Sequence, residues 1–239
     1  MQSVIKSALR YLRLGRFLRW LRNLFYLFLD GAGEAFFFLL RLLRVLSKER
    51  LLEADKVKKI LLIRIDRVGD LIVSSHAIRA VRERFSLAEI HLLAAEYTKD
   101  LAVNNPNINK IVIYSKDTLG SDYDLAILLH PGLLQNYLAL TSGARWRIGY
   151  TGMGGSFFLT HKLKDDRQRR MRHEVESALE VVGMAGCTTE DKSLEVSVTE
   201  EGERIAESFL MENGLSPSDF LVVIHPGARQ EYIRWRKEG

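Results

Sequence analysis

Along most of this chain, short apolar runs alternate with segments in which apolar residues recur at helical spacing. The first clear run, residues 58–65, is almost continuously apolar and rich in branched side chains. Such a run is typical of a strand that is buried on both faces of a parallel sheet. A glycine-containing turn follows, and apolar residues then recur at helical spacing over residues 71–85. This order predicts the first strand and helix of a βαβ unit.

The same alternation continues toward the end of the chain. It predicts an α/β fold with a doubly wound, Rossmann-like domain, in which ligands lie at the carboxyl ends of the strands. The last predicted strand is followed by a turn and by no further element, so we expect it to begin a second, truncated domain. The further predicted strands are residues 89–94, 110–114, 125–129, 147–149 and 220–224, and the predicted helices are residues 97–103, 133–141, 173–183 and 200–213.

Residues 1–56 combine apolar runs with many arginines. Two apolar runs, residues 24–29 and 35–40, are separated by Asp-Gly-Ala-Gly-Glu. Asp30 and Glu34 would each cost roughly 2.5–3.5 kcal/mol at the centre of a bilayer, which argues against a simple transmembrane helix. The pattern predicts instead a helical hairpin that lies in the membrane interface. Alternatively, these helices cover an apolar patch on the protein or on a second subunit.

The positive charge is concentrated in the same segment. Residues 1–57 hold eleven Lys and Arg against five Asp and Glu, whereas the whole chain has a net charge of +5. The remainder is therefore close to neutral. A nucleic-acid-binding protein is expected to carry its basic surface on the folded domain. The segregation favours an anionic membrane surface, and no nucleic acid, as the partner.

The cysteine and histidine residues predict neither disulfides nor a metal site. The only cysteine is Cys187, so a disulfide framework is excluded and a reducing, cytoplasmic setting fits. No spacing typical of zinc ligands occurs, and no metal is expected. We interpret His130, His161 and His173 as hydrogen-bonded structural residues.

Six segments resemble glycosyltransferase family 9, which contains the ADP-heptose:lipopolysaccharide heptosyltransferases. They follow the family's order at similar spacing and together extend over roughly residues 58–235. The segments are IRIDRVGDLIVSSHAIRAVRERF (63–85), YDLAILLHPG (123–132), SGARWRIGY (142–150), FFLTHKL (157–163), RHEVE (172–176) and VVIHPGAR (222–229), with Arg234 and Trp235 close behind the last.

The resemblance implies a GT-B architecture, in which two Rossmann-like domains face a cleft. The N-terminal domain of the family binds the sugar acceptor, and the C-terminal domain binds most of the nucleotide-sugar donor. We therefore expect residues 1–56 to be a membrane-associating helical segment and residues 57–190 to be the acceptor-side domain. Residues 191–239 would be a linker helix and the first strand and turn of a truncated donor-side domain.

The resemblance also implies which residues act on the acceptor. Asp70 corresponds to the family's proposed catalytic base, and an inverting transfer needs a carboxylate that takes the proton of the acceptor hydroxyl. Asp66, Arg67 and Gly69 lie in the same loop and are expected to contribute to acceptor binding. Asp66 is expected to order the loop. Arg67 either binds phosphate or carboxylate groups of the acceptor as a bidentate donor or is a solvated surface charge.

A second set of residues is expected to bind the donor. The turn at Gly227, Ala228 and Arg229 would hold the donor diphosphate with its backbone amides, and Arg234 would neutralise it. The chain has Ile233 where the family usually has lysine, and it has His76 where relatives commonly have proline.

The function implied is transfer of heptose or a related sugar from a nucleotide sugar, such as ADP-heptose, to a lipid-linked acceptor of the lipopolysaccharide core. No cofactor is expected, and the location implied is peripheral, on the inner face of the cytoplasmic membrane. Two alternatives stay open. The chain is an inactive fragment or acceptor-binding module that lacks the donor domain, or it is a membrane-anchored nucleotide-binding protein of another doubly wound family. The sequence does not predict the oligomeric state.

Overall fold

The structure is a computed structural model that describes residues 2–42, 51–166, 173–216, 218–228 and 235. In the first helix it describes the side chains of residues 17–40. The chain forms two compact units, Met1–Val198 and Thr199–Gly239. The three-part domain division given above stays a prediction.

A parallel sheet of six strands forms the centre of the first unit, in the order β3-β2-β1-β4-β5-β6. Because the order reverses direction after β1, the switch point of the sheet lies between β1 and β4. The strands are β1 (Lys59–Arg64), β2 (Glu89–Ala94), β3 (Lys110–Ile113), β4 (Leu125–Leu128), β5 (Trp146–Tyr150) and β6 (His161–Leu163).

Within the part of the chain that the structure describes, the first unit contains five α-helices in addition to the sheet, and the second unit contains one. The α-helices are α1 (Gln2–Leu42), α2 (Val68–Ile72), α3 (Ser75–Arg84), α4 (Leu133–Thr141), α5 (Glu174–Gly183) and, in the second unit, α6 (Glu200–Glu212). Short 3-10 helices lie at Ala54–Lys56, Glu96–Leu101 and Ser156–Phe158.

The core has two layers because successive residues of a strand point to opposite faces of the sheet. Ile60 and Leu62 of β1 pack in one apolar cluster together with residues of α3 and α5. Leu61 and Ile63 pack in the other, which includes Ala139 of α4. All four β1 side chains are fully buried. The predicted doubly wound α/β fold is thereby confirmed.

Buried His76 joins the two helices on one face. Its Nε2 donates a hydrogen bond to the carbonyl oxygen of Val175 at 2.8 Å, which links α3 to α5. Burial lowers the pKa of His76, so its ring stays neutral at physiological pH. The imidazole therefore has a structural role at this position.

Most predicted elements of the first unit are confirmed, with three differences. The predicted helix over residues 71–85 is two helices, α2 and α3, and the predicted helix over residues 97–103 is the 3-10 helix Glu96–Leu101. Strand β6 was not predicted. It is a three-residue strand with half-buried side chains, so it shows no apolar run.

The prediction of a buried strand at residues 220–224 is wrong. These five side chains are between 53% and 93% exposed, and none of the residues lies in a strand. A strand needs a neighbour for its backbone hydrogen bonds, and the described residues of the second unit provide none. The helix predicted before it is confirmed as α6, which is capped by Thr199: the Thr199 side chain accepts a hydrogen bond from the Gly202 N–H at 3.0 Å.

The prediction of a helical hairpin at the N-terminus is also wrong, because α1 runs without a break through Gly31 and Gly33. The two acidic residues of the presumed breaker bind the folded domain. The Ser156 N–H donates to Asp30 Oδ1 at 2.9 Å, and Lys162 Nζ pairs with Glu34. By length and composition alone, Phe17–Leu40 is a candidate membrane span, which the sequence argument had disfavoured.

Candidate functional site

Three loops meet at the carboxyl edge of the sheet, beside its switch point. The loop after β1 contains Asp66 and continues into α2, which contains Asp70. Tyr97 follows β2, and His130 follows β4. Because parallel strands end at the same edge, residues that are distant in the sequence come together here.

Arg64, the last residue of β1, organises this edge. Its side chain is almost completely buried. The guanidinium donates a hydrogen bond to the carbonyl oxygen of Asp70 at 3.0 Å and another to the carbonyl oxygen of Leu129. It also lies 3.1 Å from Asp66 Oδ1 and 3.7 Å from Asp70 Oδ1. A single cation thus fixes the loop after β1 relative to the end of β4.

Asp66 is the more buried of the two carboxylates. Its side chain is 16% exposed, and burial raises its pKa to about 6, with Arg64 opposing the shift and Asp70 adding to it. Neither carboxylate oxygen accepts a hydrogen bond of normal geometry within the described residues. His130 Nδ1 lies 3.5 Å from Asp66 Oδ2, and the Tyr97 hydroxyl donates to the Asp66 carbonyl oxygen.

Asp70 combines a fixed backbone with a carboxylate that solvent can reach. Its carbonyl oxygen accepts hydrogen bonds from Arg64 and from Ser74 Oγ, the latter at 2.8 Å. Its side chain is 32% exposed. A β-carbon added at neighbouring Gly69 would meet nothing within 4 Å. The backbone of Asp70 is therefore fixed, its carboxylate is accessible to solvent, and the neighbouring position 69 is open.

The four predicted acceptor residues lie in the segment that follows β1: Asp66 and Arg67 in the loop, and Gly69 and Asp70 in α2. Arg67 precedes α2, is exposed, and forms no ion pair with the residues that the structure describes. An exposed guanidinium next to the two carboxylates can bind an anionic group. The roles that the sequence predicts for these residues stay predictions.

The predicted donor-phosphate residues belong to the second unit. Gly227 is exposed and Ala228 is half-buried, and neither lies in a helix. Arg229 and Arg234 lie outside the described residues. Their proposed contact with a diphosphate therefore stays a prediction.

Sequence reasoning assigned no role at this site to Arg64 or His130. Arg64 was included in an apolar strand, although a charged residue within such a run is itself a signal of a buried ionic contact. His130 was interpreted as a structural residue. Its position directly after a buried strand, at the edge where ligands bind, was the available signal.

A cavity of about 740 Å³ lies next to His130, between α1 and α4. Tyr26 and Leu29 of α1 line one side, and Leu134 and Tyr137 of α4 line another. The size is in the range of small-molecule sites, roughly 300–1,000 Å³.

A glycine-containing loop forms another part of the cavity wall. Asn136 Nδ2 donates to the carbonyl oxygen of Gly154 at 2.7 Å. Gly155 has a positive φ of 75°, and a β-carbon there would come within 2.8 Å of Leu133. These contacts hold the loop, which includes Met153, against α4.

Among the described residues, no group of three or more His, Cys, Asp or Glu side chains could hold a metal ion.

The sheet order and the charged loop at the switch point define a Rossmann-like α/β domain of the kind found in GT-B glycosyltransferases. The chain aligns with the crystal structure of the glycosyl transferase family 9 from Veillonella parvula DSM 2008. The TM-score is 0.63 with 23% sequence identity, and the alignment covers 74% of this chain and 55% of that one. This similarity shows that the chain has a glycosyltransferase-family-9-like fold.

Two further solved structures align with the chain. The E. coli ADP-heptose lps heptosyltransferase II does so with a TM-score of 0.49 and 19% identity, over 66% of this chain and 51% of that one. The E. coli heptosyltransferase WaaC with ADP does so with a TM-score of 0.45 and 15% identity, over 64% of this chain and 53% of that one. The chain thus spans about half the length of the structures that it matches. No family model matches the chain, and no curated protein matches it.

Proposed function

We propose that this chain is the acceptor-binding domain of an inverting glycosyltransferase. In this proposal the enzyme transfers heptose or a related sugar from a nucleotide sugar, such as ADP-heptose, to a lipid-linked acceptor of the lipopolysaccharide core. The observation that carries the proposal is the partly exposed carboxylate of Asp70, which lies in the segment that follows β1 at the switch point of the sheet. The similarity of fold to a family 9 glycosyltransferase supports it.

Asp70 is the proposed base. Its carboxylate takes the proton of the acceptor hydroxyl while that oxygen attacks the anomeric carbon of the donor sugar. The bond from the anomeric carbon to the leaving diphosphate breaks on the opposite side, so the configuration at this carbon inverts. The diphosphate leaves with the electron pair of the broken bond.

Arg64 and Asp66 are proposed as positioning residues. Arg64 donates to the Asp70 carbonyl oxygen and holds the start of α2 in place. Asp66 lies within ionic contact distance of both Arg64 and His130. Neither residue needs to touch the substrate to define where the Asp70 carboxylate lies. Arg67 is the proposed contact for anionic groups of the acceptor.

We propose further that α1 holds the domain on the inner face of the cytoplasmic membrane. Many of its exposed side chains are apolar, including Phe28 at 73% and Phe38 at 66%, and exposed arginines such as Arg19 and Arg22 accompany them. Asp30 and Glu34 point toward the domain, where they bind Ser156 and Lys162. A helix with this distribution is expected to lie along the membrane interface.

The test compares Asp70→Asn with Asp100→Asn, which removes an exposed carboxylate from the segment after β2. The chain is combined with a donor-binding domain, either on a longer polypeptide or as a separate protein, and is supplied with ADP-heptose and a core acceptor. We expect Asp70→Asn to lower kcat by about 10²–10⁴-fold, the usual contribution of a general base. Its Kd for the acceptor should change less than threefold.

Asp100→Asn should leave both quantities unchanged. If the Asp70 variant retains wild-type turnover, the proposed base is wrong. If the wild-type protein binds the acceptor but transfers no sugar, the chain is an acceptor-binding module and not an enzyme domain. If it does not bind the acceptor either, the proposed function is wrong.

A further inference from the structure

The cavity between α1 and α4 has a mainly apolar wall with a few polar groups. Its wall is formed mainly by aromatic and aliphatic side chains, among them Tyr26, Leu134, Met153 and Phe157. Two polar side chains of the wall, His130 and Gln135, come from the segment that joins β4 to α4 and from the first turn of α4.

His130 connects this cavity to the candidate catalytic loop. Its side chain lines the cavity, and its Nδ1 is 3.5 Å from Asp66 Oδ2. A molecule with an apolar tail in the cavity would therefore have its polar part beside the loop that contains Asp70. The geometry fits an elongated amphipathic ligand, since an entirely polar ligand would leave the aromatic wall without contacts.

The wall that α1 contributes has a second consequence. The helix brings Tyr26 and Leu29 to the cavity, while Phe25 and Phe28 of the same turns are exposed. The cavity therefore lies directly beside a surface that is suited to hydrocarbon. An alkyl chain is the ligand that is abundant next to such a surface.

We infer that the cavity binds an acyl chain of a glycolipid acceptor, with the sugar part of the lipid directed past His130 toward Asp70. The inference rests on the proposed function for the sugar part only. The acyl chain follows from the cavity and from α1. For a chain that is transferred from water, each buried methylene contributes about 0.8 kcal/mol, so the affinity for a lipid monomer in solution should rise about fourfold for each CH₂ until the cavity is filled.

The experiment uses a monoacyl lipid that carries a photoreactive diazirine at the end of its chain, in nanodiscs that contain the 239-residue protein. Mass spectrometry identifies the labelled residues. We expect labelling of cavity residues such as Met153 and Tyr137, in addition to labelling of the exposed face of α1 by bulk lipid. Labelling of the cavity should depend on chain length, because the terminal diazirine must reach the cavity residues from a headgroup beside His130, whereas labelling of the exposed face should not.

Leu134→Trp is the variant that fills the cavity, and Leu87→Trp, at a fully exposed leucine, is the matched control. Leu134→Trp should lower cavity labelling at least tenfold and leave labelling of the exposed α1 face unchanged, which also reports that the protein is folded. Leu87→Trp should change neither. A second variant, Tyr26→Ala, enlarges the cavity. In this variant the strongest cavity labelling should come from longer or branched chains.

Labelling that is confined to the exposed face of α1, or that Leu134→Trp leaves unchanged, would overturn the inference. Asp70→Asn separates this inference from the proposed function, because it should abolish sugar transfer and leave cavity labelling intact. Cavity labelling of a wild-type protein that transfers no sugar in the presence of a donor-binding domain would refute the enzyme and keep the acyl site. Sugar transfer by the wild-type protein without cavity labelling would refute the acyl site and keep the enzyme.

Discussion

Arg64 is a buried charge that the fold fully compensates. An isolated cation in a protein interior costs several kcal/mol, yet this guanidinium lies at the end of a strand in which every other described side chain but the first is buried and apolar. Its compensation comes from Asp66 and Asp70 and from the carbonyl oxygen of Leu129, which is 65 positions away in the sequence. The residue therefore ties together the two strands that border the switch point.

Asp66 is expected to lower the stability of the protein at neutral pH. Its pKa is about 6 when folded, against a value of 3.8 in the absence of the fold. Between these values the folded state holds a proton that the unfolded chain has released, so stability falls as the pH rises through this window. Asp66→Asn should therefore raise the free energy of unfolding by on the order of 1–3 kcal/mol at pH 7.5, measured by urea denaturation.

The gain should shrink toward zero as the pH approaches about 4, close to the unfolded value. His76, whose pKa burial lowers, makes both proteins less stable in acid, and the difference between them isolates Asp66. Asp100→Asn controls for the change in net charge. A gain that is the same at every pH, or a loss at pH 7.5, would show that the fold favours the ionised carboxylate.

At the level of elements, α1 directs its acidic side chains toward the folded domain and exposes phenylalanines, whereas an amphipathic helix of a soluble domain exposes its charged residues. Its inward face carries Asp30, Glu34 and the small residue Gly33, and its outward face carries exposed phenylalanines. Gly33 is required because a β-carbon there would overlap the ring of Phe157. Phe157 in turn packs against Phe37, with ring centroids 5.6 Å apart. Helix and domain thus meet through two polar contacts, through the close approach at Gly33 and through aromatic packing of Phe37.

This arrangement predicts opposite effects for two glycines in the same helix. Gly33→Leu should weaken the attachment of α1 by about 1–3 kcal/mol, since Phe157 is buried and cannot move aside freely. Gly31→Leu should instead stabilise the helix by several tenths of a kcal/mol or more, because open space surrounds that position and leucine is a better helix former. Hydrogen exchange of residues 154–162 measures the attachment.

Faster exchange is expected in the Gly33 variant only. If both variants behave alike, the close approach between α1 and Phe157 does not hold the helix in place. Equal rates in the Gly33 variant and the wild-type protein would lead to the same conclusion.

The sequence predicts well those elements whose signal is local. Strand β2 and helix α4 were predicted with the bounds that the structure shows, because a continuous apolar run and a helical periodicity are contained within the elements themselves. Strand β6 is not predicted from the sequence, because two of its three residues, His161 and Lys162, are polar and leave no apolar run. The Asp-Gly-Ala-Gly-Glu segment does not break the helix, because Asp30, Gly33 and Glu34 meet partners in the folded domain, and Ser156 lies 126 positions from Asp30.

The same distinction applies to the candidate site. Its position after β1 follows from the order of strand, turn and helix, and the residues Asp66 to Asp70 could be proposed on that basis together with the family resemblance. The contact of His130 with Asp66 depends on the pairing of β1 with β4. That pairing is set by the packing of the sheet, and no spacing within the sequence reveals it.

For the whole molecule, the exposed apolar surface of α1 predicts membrane binding. Phe28→Ser together with Phe38→Ser should weaken binding to anionic vesicles at least tenfold, because each phenylalanine contributes about 1.5–3 kcal/mol when it is buried in an apolar phase. Phe209→Ser with Phe220→Ser is the matched control, since these residues of the second unit are similarly exposed. Vesicle flotation measures the bound fraction.

A higher salt concentration should weaken the binding of the wild-type protein to anionic vesicles. Exposed arginines such as Arg19 and Arg22 are attracted to the anionic surface, and salt screens this attraction. The control variant should float like the wild-type protein. If the two double variants lose binding equally, α1 is not the membrane-binding element.

The shared wall between the cavity and the membrane-facing helix also determines which concentration the enzyme responds to. A domain that takes its acceptor laterally from a bilayer encounters it as molecules per unit of area, and the volume of the surrounding solution is irrelevant. Adding inert lipid would then slow the reaction even though the amounts of protein and acceptor stay the same. Such kinetics would let the composition of the membrane control how fast new glycolipid is made.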